Sequence, residues 1–299
     1  MRWPTSIRRN NLLRYPRAAS EVSAGLRIGD AWRGANQRID RLDARLLLQH
    51  VSHCTHSELI AHPERELSVA ERDRYEVLVA RREVGEPLAY LLGTAFFYGM
   101  EFTVSPAVLV PRPDTEVLVD RALVEAKRFA VPRIVDLGTG SGIVAIMLAR
   151  LCPSAQVTAV DLPADALAVA RSNAERHSAP VRFFQGDWYS PLGAERFDLI
   201  VSNPPYVAAN DSHLLNDGLP FEPQLALTDG VAGGDGLACI RTLIAGAARH
   251  LTPGGGLLIE HGYDQVVEVR ALLQMAGFSG VASWRDAAEI ERVSGGFLP

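Results

Sequence analysis

The chain has 299 residues, 47% of them hydrophobic and 22% charged, so it can bury one large core or two ordinary ones. A formal charge of -5 and a pI near 5.9 exclude a surface built mainly to hold nucleic acid. No apolar run reaches the ~18 residues that crossing a bilayer requires, and Cys54, Cys152 and Cys239 are too scattered for a disulfide framework.

The first twenty residues carry Arg2, Arg8, Arg9, Arg14 and Arg17 and no acid. Residues 1–22 are expected to be a basic, disordered extension; the same composition suits a mitochondrial transit peptide. A cytoplasmic location is therefore expected, with the mitochondrial matrix as the alternative. Residues 23–92 read as a small helical domain. Ile39, Leu42, Leu46 and Leu47 recur at helix spacing, and Ser68 with Glu71 forms a capping box opening a second amphipathic helix. Acids and arginines nearly balance there, which suits a solvated domain that meets a protein better than a phosphate backbone. Gly85-Glu86-Pro87 ends it. Residues 93–112 read as a β-hairpin linker, with Phe102 and Val104 on one strand, 108–110 on the other and Ser105-Pro106 at the turn.

After a helix over 115–128, the rhythm of residues 113–299 becomes strand and helix in alternation. Strands are expected at 134–137, Gln156–Asp161, 181–184, Phe197–Ser202 and 257–260. Helices are expected at Ile143–Leu151, Ala164–Arg176, 237–250 and 265–275. This alternation predicts an α/β fold with a parallel, doubly wound sheet. Glu291–Phe297 is expected as a further strand, antiparallel and at or near the edge.

Three motifs lie where a doubly wound sheet binds ligands. Gly138, Thr139, Gly140, Ser141 and Gly142 form a turn between strand and helix, a loop whose backbone can approach a ligand closely or serve only as a tight turn. It has neither dinucleotide-fingerprint nor P-loop spacing. Asp161 ends the next strand, where a carboxylate can accept from two ribose hydroxyls or cap the following helix. Asp187 and Trp188 offer an acceptor and a flat apolar wall to an adenine ring, though a core Trp reads the same way. The fourth motif carries the chemistry: Asn203, Pro204, Pro205 and Tyr206 follow the strand Phe197–Ser202. An amide or aromatic amine nitrogen is a poor nucleophile because its lone pair is delocalised. Two fixed acceptors for its N–H groups, the Asn203 side-chain oxygen and the Pro204 carbonyl, can favour the form whose lone pair attacks a methyl donor. The prolines preorganise the acceptors, and Tyr206 can stack on a planar amide or base.

From about residue 30 onward the chain resembles the release-factor glutamine N5-methyltransferases (the HemK/PrmC family). The resemblance rests on Phe96-Phe97-Tyr98-Gly99, the stretch from Val110 to Glu116, the glycine loop, Gly186-Asp187-Trp188, the Asn203–Tyr206 tetrad, Phe221-Glu222-Pro223 and Ile259-Glu260-His261-Gly262. It implies a Rossmann-like seven-stranded S-adenosylmethionine-dependent methyltransferase sheet, with S-adenosyl-L-methionine as cofactor. Gly138–Gly142, Asp161, Asp187, Trp188 and Asn203 would hold the cofactor, Arg112 and Phe96 would wall it, and Asn203–Tyr206 would hold the substrate glutamine. The implied substrate is the Gly-Gly-Gln glutamine of peptide-chain release factors, with no direct nucleic-acid contact and a monomer favoured. The rivals are adenine-N6 methylation of DNA or RNA, which shares the tetrad, and methylation of a ribosomal-protein glutamine. No metal is expected: His50, His53, Cys54 and His56 crowd together without a second ligand pair. His261 is assigned no proton-transfer role, and 233–236 reads as a plain loop.

Overall fold

A computed structural model describes residues 25–216 and 218–299. The expected extension over 1–22 lies outside the described residues.

Five short helices build the N-terminal part: α1 (Ile28–Ala35), α2 (Arg41–Ser52), α3 (His56–Ala61), α4 (Val69–Glu83) and α5 (Leu88–Leu92). Each of the middle three starts on a side-chain cap that satisfies a free N–H of the first turn. Asp40 accepts from Leu42, and Thr55 and Ser68 form capping boxes with Glu58 and Glu71. Ile28, Leu47, Leu48, Leu59, Leu78 and Val79 fill the core between them. Tyr90 on α5 then reaches forward, its hydroxyl donating to the Val108 carbonyl oxygen at 2.6 Å.

The expected hairpin is present, but its turn lies earlier. Strands β1 (Thr94–Phe97) and β2 (Met100–Thr103) pair around Tyr98-Gly99, with Phe97 opposite Met100. Both turn residues have positive φ (55° and 72°), as a two-residue turn matching strand twist demands. Ser105-Pro106 does make a turn, the Val108 N–H donating to the Ser105 carbonyl oxygen at 3.0 Å, but it leads into unpaired chain along the ligand cavity rather than into a second strand. Asn173 fastens the hairpin to the main domain: it accepts from the Thr103 N–H and donates to the carbonyls of Thr103 and Ser141.

The remaining elements are α6 (Glu116–Ala126), β3 (Arg133–Leu137), α7 (Ile143–Leu151), β4 (Gln156–Asp161), α8 (Ala164–Arg176), β5 (Val181–Gln185), β6 (Phe197–Ser202), α9 (Gln224–Leu227), α10 (Ala238–His250), β7 (Leu251–Glu260), α11 (Val266–Met275), β8 (Ser279–Arg285) and β9 (Glu291–Phe297). They form a seven-stranded sheet in the order β5-β4-β3-β6-β7-β9-β8, parallel except where β9 pairs with β7 and β8. Two apolar cores cover its faces, one around α6 and α7 and one around α10 and α11. Helix α7 is buried along nearly its whole length, which is why Ile143-Val144-Ala145-Ile146-Met147-Leu148 shows no polar face. The edge strand on this side is β8, which carries no strong apolar alternation, and β9 lies one place in; β5 forms the other edge. The direction of the chain across the sheet reverses between β3 and β6, so their carboxyl ends open a crevice at the switch point.

Candidate active site

That crevice contains a cavity of about 240 Å³. The glycine turn after β3 forms its floor. Gly138 has φ 76°, a left-handed backbone that favours glycine, and its Cα side packs toward the Trp188 ring, where an added Cβ would stand in contact at 3.4 Å. Gly142 does not reach the cavity. Its φ is 84°, and an added Cβ would lie 3.0 Å from the Ile146 side chain and 3.1 Å from that of Ala170, so this glycine lets α7 pack on α8.

Asp161 is not a helix cap. Helix α8 starts at Pro163 without a side-chain cap, while the Asp161 carboxylate accepts from the N–H groups of Gly140 (2.6 Å) and Leu162 (2.8 Å) at the cavity wall. Deeper in, Asp136 accepts from the Thr139 hydroxyl at 2.6 Å, and burial pushes its carboxyl up to about 7. Burial raises the Asp161 carboxyl as well. Asp187 and Trp188 stand at the mouth. Trp188 holds a positive φ of 44° and packs on the core beneath while also lining the cavity.

Asn203 and Pro205 come from the end of β6 and face the same space. The Asn203 Nδ2 donates to the Thr115 hydroxyl at 3.1 Å, which leaves Oδ1 as its acceptor toward the cavity. Arg112 also lines the cavity and pairs with Glu222, a buried carboxylate that accepts in addition from the Val110 N–H at 2.9 Å. Besides Gly142, three expected residues stand elsewhere. Phe96 is 71% exposed on β1, because its inward neighbour Phe97 takes the core position of the alternating strand. Pro204 is buried beneath the cavity surface. Tyr206 turns away from it: its hydroxyl donates to Glu260 at 3.4 Å, and its ring borders a second hollow of about 470 Å³ that Asp235, Tyr263 and Arg292 also line.

Several residues around the tetrad gave little sequence signal. Gln265 at the start of α11 holds the Tyr206 carbonyl, and Gly236 packs its bare backbone on the same group. Thr115 and Glu222 sit in stretches that carry the resemblance, without a role to read from residue type. His261 is fully buried between the Gly262 carbonyl oxygen (2.9 Å) and the Ser294 hydroxyl (2.7 Å), and burial lowers its pKa, so it is a neutral structural group. No cluster of three metal-binding side chains occurs among the described residues.

A methyltransferase small-domain model matches residues 114–216, and a PrmC N-terminal domain model matches residues 31–93. The chain is 50% identical over 265 residues to a release factor glutamine methyltransferase of Bordetella pertussis, covering 88% of this chain and 97% of that one. It belongs to the release factor glutamine methyltransferase family. A relative of the same name from Burkholderia pseudomallei is 48% identical, over 87% of this chain and 93% of its own. Among solved structures, a T. thermophilus 16S rRNA N2 G1207 methyltransferase in complex with AdoMet and guanosine matches with a TM-score of 0.50 at 20% identity, covering 69% of this chain and 50% of that one; it shares the fold.

Membership makes the protein an S-adenosylmethionine-dependent glutamine methyltransferase. The cavity suits that cofactor on its own chemistry. Four carboxylates, Asp136, Asp161, Asp187 and Asp229, line it and suit a ligand bearing a sulfonium, an ammonium and ribose hydroxyls, while Gly138 and Gly140 supply the left-handed backbone of the loop.

Proposed function

We propose that the protein methylates the side-chain amide nitrogen of the Gly-Gly-Gln glutamine in peptide-chain release factors. The observation that carries this reading is Asn203 at the cavity wall with its NH2 group engaged by Thr115 and its Oδ1 free. When bound, S-adenosylmethionine supplies an electrophilic methyl on sulfur. Asn203 Oδ1 accepts from the substrate amide and orients the nitrogen lone pair toward that methyl. Gly138, Thr139, Gly140 and Ser141 bring backbone close to the cofactor. Asp161 takes the ribose hydroxyls, Asp187 and Trp188 meet the adenine, and Arg112 braces the wall through Glu222.

The hollow beside Tyr206 takes the polypeptide that flanks the glutamine, and the helical domain, residues 23–92, grips the same partner farther away. Residues 93–112 link it to a catalytic domain over 113–299. The net acidic balance supports a protein partner over nucleic acid, and the relatives' name supports release factors. We place the protein in the cytoplasm, supported by its unpaired cysteines. The test is incubation with labelled cofactor and a panel of release factors, ribosomal proteins and DNA. Label on the release factor supports the reading; label confined to DNA or to a ribosomal protein overturns it.

A further inference from the structure

The Asn203 amide poses a problem of polarity. Its oxygen and nitrogen ends are nearly the same size, so packing alone does not decide which faces the cavity. With Oδ1 outward the side chain accepts from the substrate amide; with NH2 outward it opposes two N–H groups with two of its own. Something must choose between the two.

The choosing group is Thr115, 1% exposed at the end of a 3-10 turn, Pro113–Thr115, that leads into α6. Its hydroxyl oxygen accepts from Asn203 Nδ2 at 3.1 Å. A hydroxyl has a single proton, and it accepts reliably only if that proton is committed elsewhere. Glu260, at the end of β7 and 1% exposed, is the neighbouring acceptor: the Thr115 side chain draws its carboxyl down against the burial that pushes it up to about 7. Glu260 Oε1 accepts from Tyr206 at 3.4 Å, while Oε2 is buried without a hydrogen-bond partner, so the group has acceptor capacity to spare. Ionised, Glu260 can only accept; Arg292, the nearby cation, is committed to Asp114 and Asp286. With Glu260 ionised the Thr115 proton has an acceptor on that side, so the Asn203 NH2 donates to Thr115 and Oδ1 is left for the cavity.

We infer that Thr115 and Glu260 are positioning residues that lock the Asn203 side chain with Oδ1 toward the methyl-accepting nitrogen. This rests on the amide-methylation reading above. Neither residue touches the reacting atoms; each acts through Asn203. Thr115→Val keeps the shape and removes the acceptor, Thr115→Ser keeps the hydroxyl, and Glu260→Gln keeps the shape but can present a donor to Thr115 and reverse the chain.

The experiment measures kcat and KM on purified release factor and cofactor affinity by calorimetry, in the full chain. Thr115→Val is expected to lower kcat roughly tenfold to a hundredfold, somewhat less than removal of the acceptor itself. Cofactor affinity and KM should stay within about twofold, since ground-state binding is spared. Thr115→Ser should restore most of the turnover, and Glu260→Gln should lose at least as much as Thr115→Val. Wild-type kcat in Thr115→Val, or equal losses in the Val and Ser variants together with lowered melting temperatures, would overturn the inference. Should Thr115→Val not fold, Glu260→Gln carries the comparison. A readout without turnover separates this claim from the activity reading: the Asn203 side-chain NH2 resonances, assigned by their loss in Asn203→Ala. They should be protected from exchange in the wild type and exposed in Thr115→Val. Inactivity of the wild type on release factor would sink the activity reading alone; unprotected wild-type NH2 protons would sink the orientation.

Discussion

Gln265 donates through Nε2 to the Tyr206 carbonyl oxygen at 2.9 Å, while its Oε1 accepts from the Gly262 N–H at 2.9 Å. The start of α11 thereby grips the end of the Asn203–Tyr206 tetrad. Gly236 closes on the same carbonyl from the other side, with φ 74° and no room for a side chain: a Cβ there would stand 2.2 Å from the Tyr206 oxygen. The tetrad's prolines limit its own freedom, and these two residues fix where it sits.

Gly236→Ala should therefore cost about 1–3 kcal/mol of stability, from left-handed backbone and a forced displacement together. Turnover should fall as the tetrad shifts. Urea unfolding beside a methylation assay checks this; a variant of wild-type stability and rate would show that the contact has no consequence.

Asp161→Ala should weaken cofactor binding by roughly 1–3 kcal/mol, the cost of leaving buried donors without their acceptor. The fold should survive, because the carboxylate bonds only Gly140 and Leu162 within the protein. Calorimetry on the folded variant decides it, and unchanged affinity would remove Asp161 from the site.

Asn203→Ala should do the reverse. Much of the cofactor affinity should remain, and turnover should drop about 10²-fold or more, as when one preorganised polar group is lost. Equal single-turnover rates in variant and parent would reduce the tetrad to a structural turn.

Cofactor binding should depend on pH through Asp136, whose carboxyl burial pushes up to about 7. Above that pH the group is ionised and attracts the cationic end of the cofactor. As pH falls through it, the free protein holds a proton that binding must expel, so affinity should fall. Between pH 8 and pH 6 the dissociation constant should rise for the wild type and stay weak and flat for Asp136→Asn. A flat wild-type curve would place the cation away from Asp136.

The switch-point crevice was legible because apolar runs alternate with amphipathic helices, and because Asp161 and Asn203 end their strands where ligands bind. Strand β8 was not: Ser279-Gly280-Val281-Ala282-Ser283 gains its place from β9 rather than from a buried pattern of its own. The hairpin turn was misplaced because Ser-Pro is a strong turn pair, whereas Tyr98-Gly99 succeeds through φ, which residue type only half reveals. Strand β7 starts at Leu251, six residues before its apolar run, since Thr-Pro-Gly-Gly-Gly reads as a loop and enters the sheet through a register irregularity opposite Phe197 and Leu199. Phe96 looked like a cofactor wall through resemblance alone, and strand alternation turns it outward. Gln265 and Thr115 act through contacts with residues 59 and 88 positions away, which no local pattern encodes.

The most direct test is mass spectrometry of a purified release factor after incubation with this protein and S-adenosylmethionine. The account predicts a single added methyl on the side chain of the Gly-Gly-Gln glutamine, absent with Asn203→Ala. An unmodified glutamine in the presence of active, cofactor-loaded protein, with methylation found on DNA adenine instead, would contradict it.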